Sequence, residues 1–189
     1  MENMENVYDF TEEAAKFEVA DTGVYELEIT NAELKKTESN KNFISLTLEV
    51  REDVSQPFAS VKIFETIWEN EVHRNPLLKN KRIKKEDYEA MTPAQKANII
   101  TRMEYDDYKI RVLVHAQSAE PSSPEFKTKF GSIAEITQFL NGMCIQAKVL
   151  KYTDDKSGNE RNSIDYKTIK RTSVPKTEAV DVSDDELPF

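Results

Sequence analysis

A chain of 189 residues has room for one domain with an insertion and tails, and its lone cysteine, Cys144, excludes an intrachain disulfide or a Cys-rich zinc site. At 38% hydrophobic and 32% charged, with no apolar run of membrane-spanning length and an acidic start lacking an apolar core, the expectation is a soluble protein of a reducing cytoplasm without a signal peptide. The net charge of −9 argues against a polyanion partner until it is located: residues 1–21 carry seven acids and one Lys, residues 174–189 carry five acids and one Lys, and the span between them is +1.

Residues 1–21 form an acidic segment with scattered aromatics and a short helix expected over residues 11–17. Asp21-Thr22-Gly23 marks a turn. From Val24, the residues Tyr25, Leu27 and Ile29 alternate with Glu26, Glu28 and Thr30, the period of a half-buried strand running to about Lys35. A polar turn follows. Ile44, Leu46, Leu48 and Val50 then alternate with Phe43, Ser45, Thr47, Glu49 and Arg51 in a second strand that closes a hairpin. A connection over 52–60 leads to a third strand at 61–68, rich in β-branched and aromatic residues.

Residues 69–91 are polar and include five cations in the run 79–85. That run is either a solvated face or a set of phosphate contacts. Thr92-Pro93-Ala94-Gln95 has the signature of a capping box, and Ala94, Ala97, Ile100 and Met103 continue it at helical spacing. Residues 106–117 fit a helix or a strand and are assigned to helix. A Pro-rich loop at 119–124 breaks the pattern. Ser132-Ile133-Ala134-Glu135 opens a short helix that stops at Asn141-Gly142. A fourth strand at 144–152, a turn-rich loop and a fifth strand at 162–169 complete the ordered part. From residue 172 the composition is that of a flexible acidic tail.

Three strands, a helical segment and a closing two-strand hairpin is the element order of an OB-fold, a five-stranded Greek-key barrel. The fold class expected is therefore mainly β: an OB-fold-like domain over 22–171 with a helical insertion at about 69–143. An insertion this large leaves three roles open: a helical subdomain, a DNA-gripping arm or a homo-oligomeric contact.

The sequence ends Asp184, Asp185, Glu186, Leu187, Pro188, Phe189. Three carboxylates beside an apolar residue, a proline and an aromatic suit a pocket with an apolar floor and a basic rim. This ending resembles the acidic tip of bacterial and phage single-stranded DNA-binding proteins. The stretches Gly23-Val24-Tyr25-Glu26-Leu27, Glu49-Val50-Arg51-Glu52-Asp53, Gly142 to Val149 and Gly158 to Arg161-Asn162 resemble the phage-type branch of that family. The resemblance implies an OB-fold that coats single-stranded DNA in replication, recombination and repair. It also implies a tip that docks replication, recombination or repair proteins, and, for a phage-encoded protein, the host cytoplasm as its compartment.

Sequence-tolerant binding of single strands needs cations along the phosphates and aromatic faces for the bases. The first loop offers Lys35, Lys36 and Lys41; the last hairpin offers Lys148, Tyr152, Lys156 and Arg161. Strand parity turns Phe43, Arg51, Lys62 and Phe64 outward, and Trp68 sits at a strand end. For Phe43, Phe64 and Trp68 a core position competes with this surface role, because parity slips at bulges. Tyr166 shares parity with Ile164 and is assigned to the core, and His73, His115 and Cys144 to structural positions.

No catalysis, metal or cofactor is expected. The carboxylate pairs Glu52-Asp53, Asp106-Asp107 and Asp154-Asp155 fall in turns or strand ends without a Lys or His at metal-site spacing, and four glycines make no phosphate cradle. The competing function is an adaptor or inhibitor that mimics the tip and binds host replication proteins without DNA.

Overall fold

The computed structural model describes residues 18–117, 122–124 and 126–176. The helix expected at 11–17, part of the loop at 119–124 and the ending at 184–189 lie outside them. Seven strands are present: β1 (Gly23–Lys36), β2 (Asn42–Val50), β3 (Lys62–Asn75), β4 (Lys81–Ile83), β5 (Ile100–Tyr105), β6 (Cys144–Thr153) and β7 (Glu160–Arg171). They form an antiparallel sheet in the order β4-β3-β2-β1-β6-β7, with β5 also paired to β3. The helices are α1 (Lys85–Glu89), α2 (Pro93–Lys96), α3 (Asp107–His115) and α4 (Ile133–Leu140).

The sheet curls into a half-barrel around one apolar face. Alternation supplies that face: Leu27 and Ile29 from β1, Ile44, Leu46 and Leu48 from β2, Ile63 and Ile67 from β3, and Ile145 and Val149 from β6 are all buried. Each fully buried aliphatic side chain contributes about 1.5–3 kcal/mol relative to exposure. A register shift between Ile29 and Asn31 bends β1 and returns Ala32 to the core. The α4 exit is fastened at this bend. Asn141 Nδ2 donates to Ala32 O and its Oδ1 accepts from Ala32 N, while Gly142 N donates to Ile29 O. Gly142 has φ +78°, a left-handed conformation that a side chain would strain, and it turns the chain from α4 into β6.

The curled sheet meets itself where β3 approaches β7. Glu65 points inward with Ile63 and Ile67, and its Oε1 accepts a hydrogen bond of 2.7 Å from Ile164 N. A side chain thus does here what a strand ladder does elsewhere. Burial pushes the Glu65 carboxyl up, against the opposing pull of that N–H and of Lys109. Lys109 Nζ lies 4.5 Å from the Tyr166 ring, which seats α3 against β7.

Three expectations are corrected. The third strand continues to Asn75, so residues 69–75 are β-structure and the insertion is only partly helical. The capping box at Thr92 is real, but α2 lasts one turn and Ile100–Tyr105 is a strand. Residues 172–176 do not behave as a free tail: they cross back over the sheet and are hydrogen-bonded to it.

Candidate nucleic-acid interface

The outer face of the half-barrel divides into two parts. On one, the β2–β3 register opposes Phe43 to Trp68, Ser45 to Thr66, Thr47 to Phe64 and Glu49 to Lys62. Opposed residues of an antiparallel pair share a face, so these side chains form one outward surface. The Phe43 and Trp68 rings lie 4.9 Å apart at a 44° tilt, and Lys41 Nζ stands 4.7 Å from the Trp68 ring. Phe64 is 62% exposed and Trp68 37%. Trp68 is therefore a surface residue, and a core position for it or for Phe64 is ruled out. Phe43 is half-buried beneath its partner.

These rings are neighbours because the β1–β2 loop is short and its turn is tied: Asn40 N donates to Thr37 O and Thr37 N to Lys41 O. The loop places Lys41 over the end of β3. Lys36 is exposed beside it. Lys35 pairs with Glu33 at 3.1 Å, and that hydrogen bond holds the Glu33 carboxyl below its ordinary range.

The other part of the outer face, over the start of β1 and the end of β2, is sealed. Arg51 does turn outward by parity, yet it is only 2% exposed. Its guanidinium donates to both Asp53 oxygens, to Thr172 Oγ1 and to Val174 O. Arg51 is thereby corrected from a free phosphate contact to an anchor. The hydrogen bond from Arg51 holds the Asp53 carboxyl down. Glu26 beside it is buried and accepts from Thr172 Oγ1, Ser173 N, Ser173 Oγ and Gln146 Nε2. Burial alone would raise its carboxyl, but these donors hold it below the ordinary range. Lys176 closes the seal on Glu28.

The remaining expected residues lie on the β6–β7 hairpin, two strands from β2 in the sheet order. Tyr152 is 45% exposed and Lys156 is exposed. Arg161 pairs with Asp154 at 3.0 Å, and Lys148 is half-buried opposite Val24. The structure thus brings together Lys41, Phe43, Lys62, Phe64 and Trp68. Lys148, Tyr152, Lys156 and Arg161 lie on the β6–β7 hairpin, whose β7 approaches β3 at the seam, without a contact to the ring pair among the described residues. Of the residues with structural roles here, only Glu65 carries a signal in its pattern, a carboxylate at an inward strand position between Ile63 and Ile67; Glu26 is an outward strand residue and Asn141 the C-cap of α4.

Among the described residues no group of three or more His, Cys, Asp or Glu side chains could hold a metal ion. No helix among them is long and apolar enough to cross a membrane. The chain belongs to the family described as "Protein of unknown function (DUF669)", whose model matches residues 7–180. No match was found among curated proteins.

Proposed function

We propose that this protein binds single-stranded DNA without catalysis, as a phage-type coating protein of replication and recombination, and recruits partner proteins through residues 184–189. The observation that carries the reading is the grouping of exposed Phe64 and Trp68 with Lys41 and the half-buried Phe43 on one outward face. Exposed rings gathered on one strand face cost solvation free energy, and such apolar groups on a polar surface mark interaction sites. Rings interleaved with lysines match bases and phosphates, since base stacking on an aromatic side chain is worth about 1–3 kcal/mol per base.

The OB-fold reading belongs to the same proposal. β1, β2, β3, β6 and β7 take the places of the five barrel strands, with β1 paired to both β2 and β6 and with α4 preceding the fourth. β4 and β5 are additions carried by the long β3. The platform expected of such a barrel is the outward surface of its second and third strands, where the ring cluster lies.

The test is fluorescence anisotropy with labelled oligo-dT at low salt. Saturable binding that weakens as salt rises is the expected result, because phosphate contacts release counterions. Little binding at low salt overturns the reading and leaves the tip-mimicking adaptor. Deleting residues 184–189 should leave DNA affinity equal or slightly higher while abolishing capture of replication, recombination or repair proteins. Loss of DNA binding on that deletion would remove the basis for separating the two tasks.

A further inference from the structure

We propose that the DNA track does not end at Trp68 but continues along β3 onto the arm made by β3, β4 and β5, where Arg82 and Arg102 hold backbone phosphates. The inference rests on the DNA-binding reading above and extends it to a second set of residues.

β3 passes from the barrel into the arm with unbroken register, pairing with β2 as far as Trp68 and with β5 from Glu69. Alternation puts Asn70, Val72 and Arg74 on the same side of β3 as Lys62, Phe64 and Trp68; Asn70 is exposed and Arg74 half-buried, while Val72 between them is buried. Arg102 on β5 is opposite Val72, and Arg82 on β4 is opposite Arg74. Since Arg74 is paired on both sides, to Arg82 and to Ile100, the two exposed arginines flank β3 from its two edges, their backbones roughly 12 Å apart given two strand spacings and a two-residue offset. The distance along β3 from Trp68 to Arg74 is about 20 Å, as long again as the segment from Lys62 to Trp68.

Arg74 has a structural task. Its Nε donates to Glu104 Oε1 at 2.9 Å, its Nη2 to Oε2 at 2.5 Å, and its Nη1 to Asn80 O at 3.1 Å. Arg74 thus takes both oxygens of Glu104, with Asp107 also acting on Arg74 through space. Arg82 and Arg102 both act on Glu104 through space, which places them close to it, yet among the described residues neither has an ion pair or a side-chain hydrogen bond of its own. Two surplus guanidinium groups facing one carboxylate already spent on Arg74 repel each other in the free protein. A phosphate backbone relieves that repulsion, and a guanidinium matches phosphate oxygens in a bidentate fork. An isolated acidic side chain would also relieve it. A polymer of phosphates, however, is what the ring surface upstream would hold, and the exposed Arg82 and Arg102 at the two edges of β3 stand where its continuation past the buried Val72 would run.

The experiment compares the full chain with the double variant Arg82→Ala/Arg102→Ala on an oligo-dT length series. The series runs from about 4 nucleotides to well beyond the roughly 16 that one fold of this kind engages. The shortest oligonucleotides, held by the rings, should bind both proteins equally. Long ones should bind the variant at least about tenfold more weakly, and the slope of log K against log salt should become shallower by about 1.4, or about 0.7 per lost phosphate contact. The charge-preserving Arg82→Lys/Arg102→Lys variant should keep most of the slope. If the wild type binds oligo-dT but the alanine variant keeps both its length dependence and its salt slope, the arm is not part of the track and this inference falls alone. If the wild type binds no oligo-dT at all, the function proposed above falls with it.

Discussion

The two halves of the outer sheet face start from the same alternation and end differently. On the β2–β3 face Phe64 and Trp68 stay open to solvent, with Phe43 half-buried against Trp68 and Lys41 laid over its ring. Around Glu26 and Arg51 the outward side chains are charged, yet they are buried under residues 172–176. Polar groups can be buried at low cost when every donor and acceptor is matched, and here they are. Among the described residues the Trp68 ring meets Lys41 and Phe43 yet stays exposed. Charge on a strand therefore does not predict exposure here, nor does aromaticity predict burial; what decides is whether the chain returns to cover the position.

The largest effect that would sharpen this contrast is expected at Arg51. Arg51→Ala removes the guanidinium that Asp53, Thr172 and Val174 share, and urea unfolding should show a loss of about 3 kcal/mol, the low end for a buried pair because Asp53 is part-exposed. Oligo-dT affinity of the folded fraction should not change. An affinity loss without destabilisation would mean that the sealed half belongs to the interface.

Next in size is Trp68→Ala, which should weaken oligo-dT binding by about 1–3 kcal/mol while unfolding stability changes by less than about 1 kcal/mol. The reverse pattern, stability lost and affinity kept, would make the ring pair a packing feature and erase the contrast.

The smallest effects lie in the pH profile of stability and have opposite signs for two carboxylates. Glu26 is held below its ordinary range, so its contribution is fully present above that range and is lost as pH falls through its lowered folded-state value. Glu26→Gln should remove that acid-side decline. Glu65 is pushed up, so the folded state binds the extra proton and stability falls as pH rises from the ordinary carboxylate range through the raised value. Glu65→Gln keeps an acceptor for Ile164 N and should flatten this decline. Thermal melts from about pH 3 to pH 8 would show both slopes, and a Glu65→Gln profile parallel to wild type would rule out its charge as the cause.

Much of this was legible where one face of a strand is buried. Tyr25, Leu27 and Ile29, the Ile44 to Val50 alternation and Ile145 to Val149 could be assigned because the core imposes period two. The arm was not legible for the converse reason. Glu69, Asn70 and Glu71 have no apolar partner pattern, since that stretch of β3 leaves the core and its strand character comes from pairing with β5. Ile100 and Met103 fit a helix as readily as a strand, and Met103 is exposed, so neither spacing was being enforced by burial. On the outward β2–β3 face, parity alone was enough to turn Lys62 and Phe64 to solvent, where the structure has them. It also placed Arg51 outward but could not show that residues more than a hundred positions later would cover it.

The double role of β1 has a consequence for how the chain is made. Its β2 partner follows within one loop, but residues 23–28 pair with β6, about 120 residues downstream, a separation that slows closure. At ordinary translation rates of about 5–20 residues per second the nascent β1 edge waits roughly 6–24 s for its neighbour. Throughout that interval it presents unpaired backbone groups, the hazard by which strands from separate chains associate. The carboxylates that later form the seal, Glu26 and Glu28, stand on that waiting segment. In the nascent chain they charge an otherwise apolar strand edge and repel identical copies emerging on the same message.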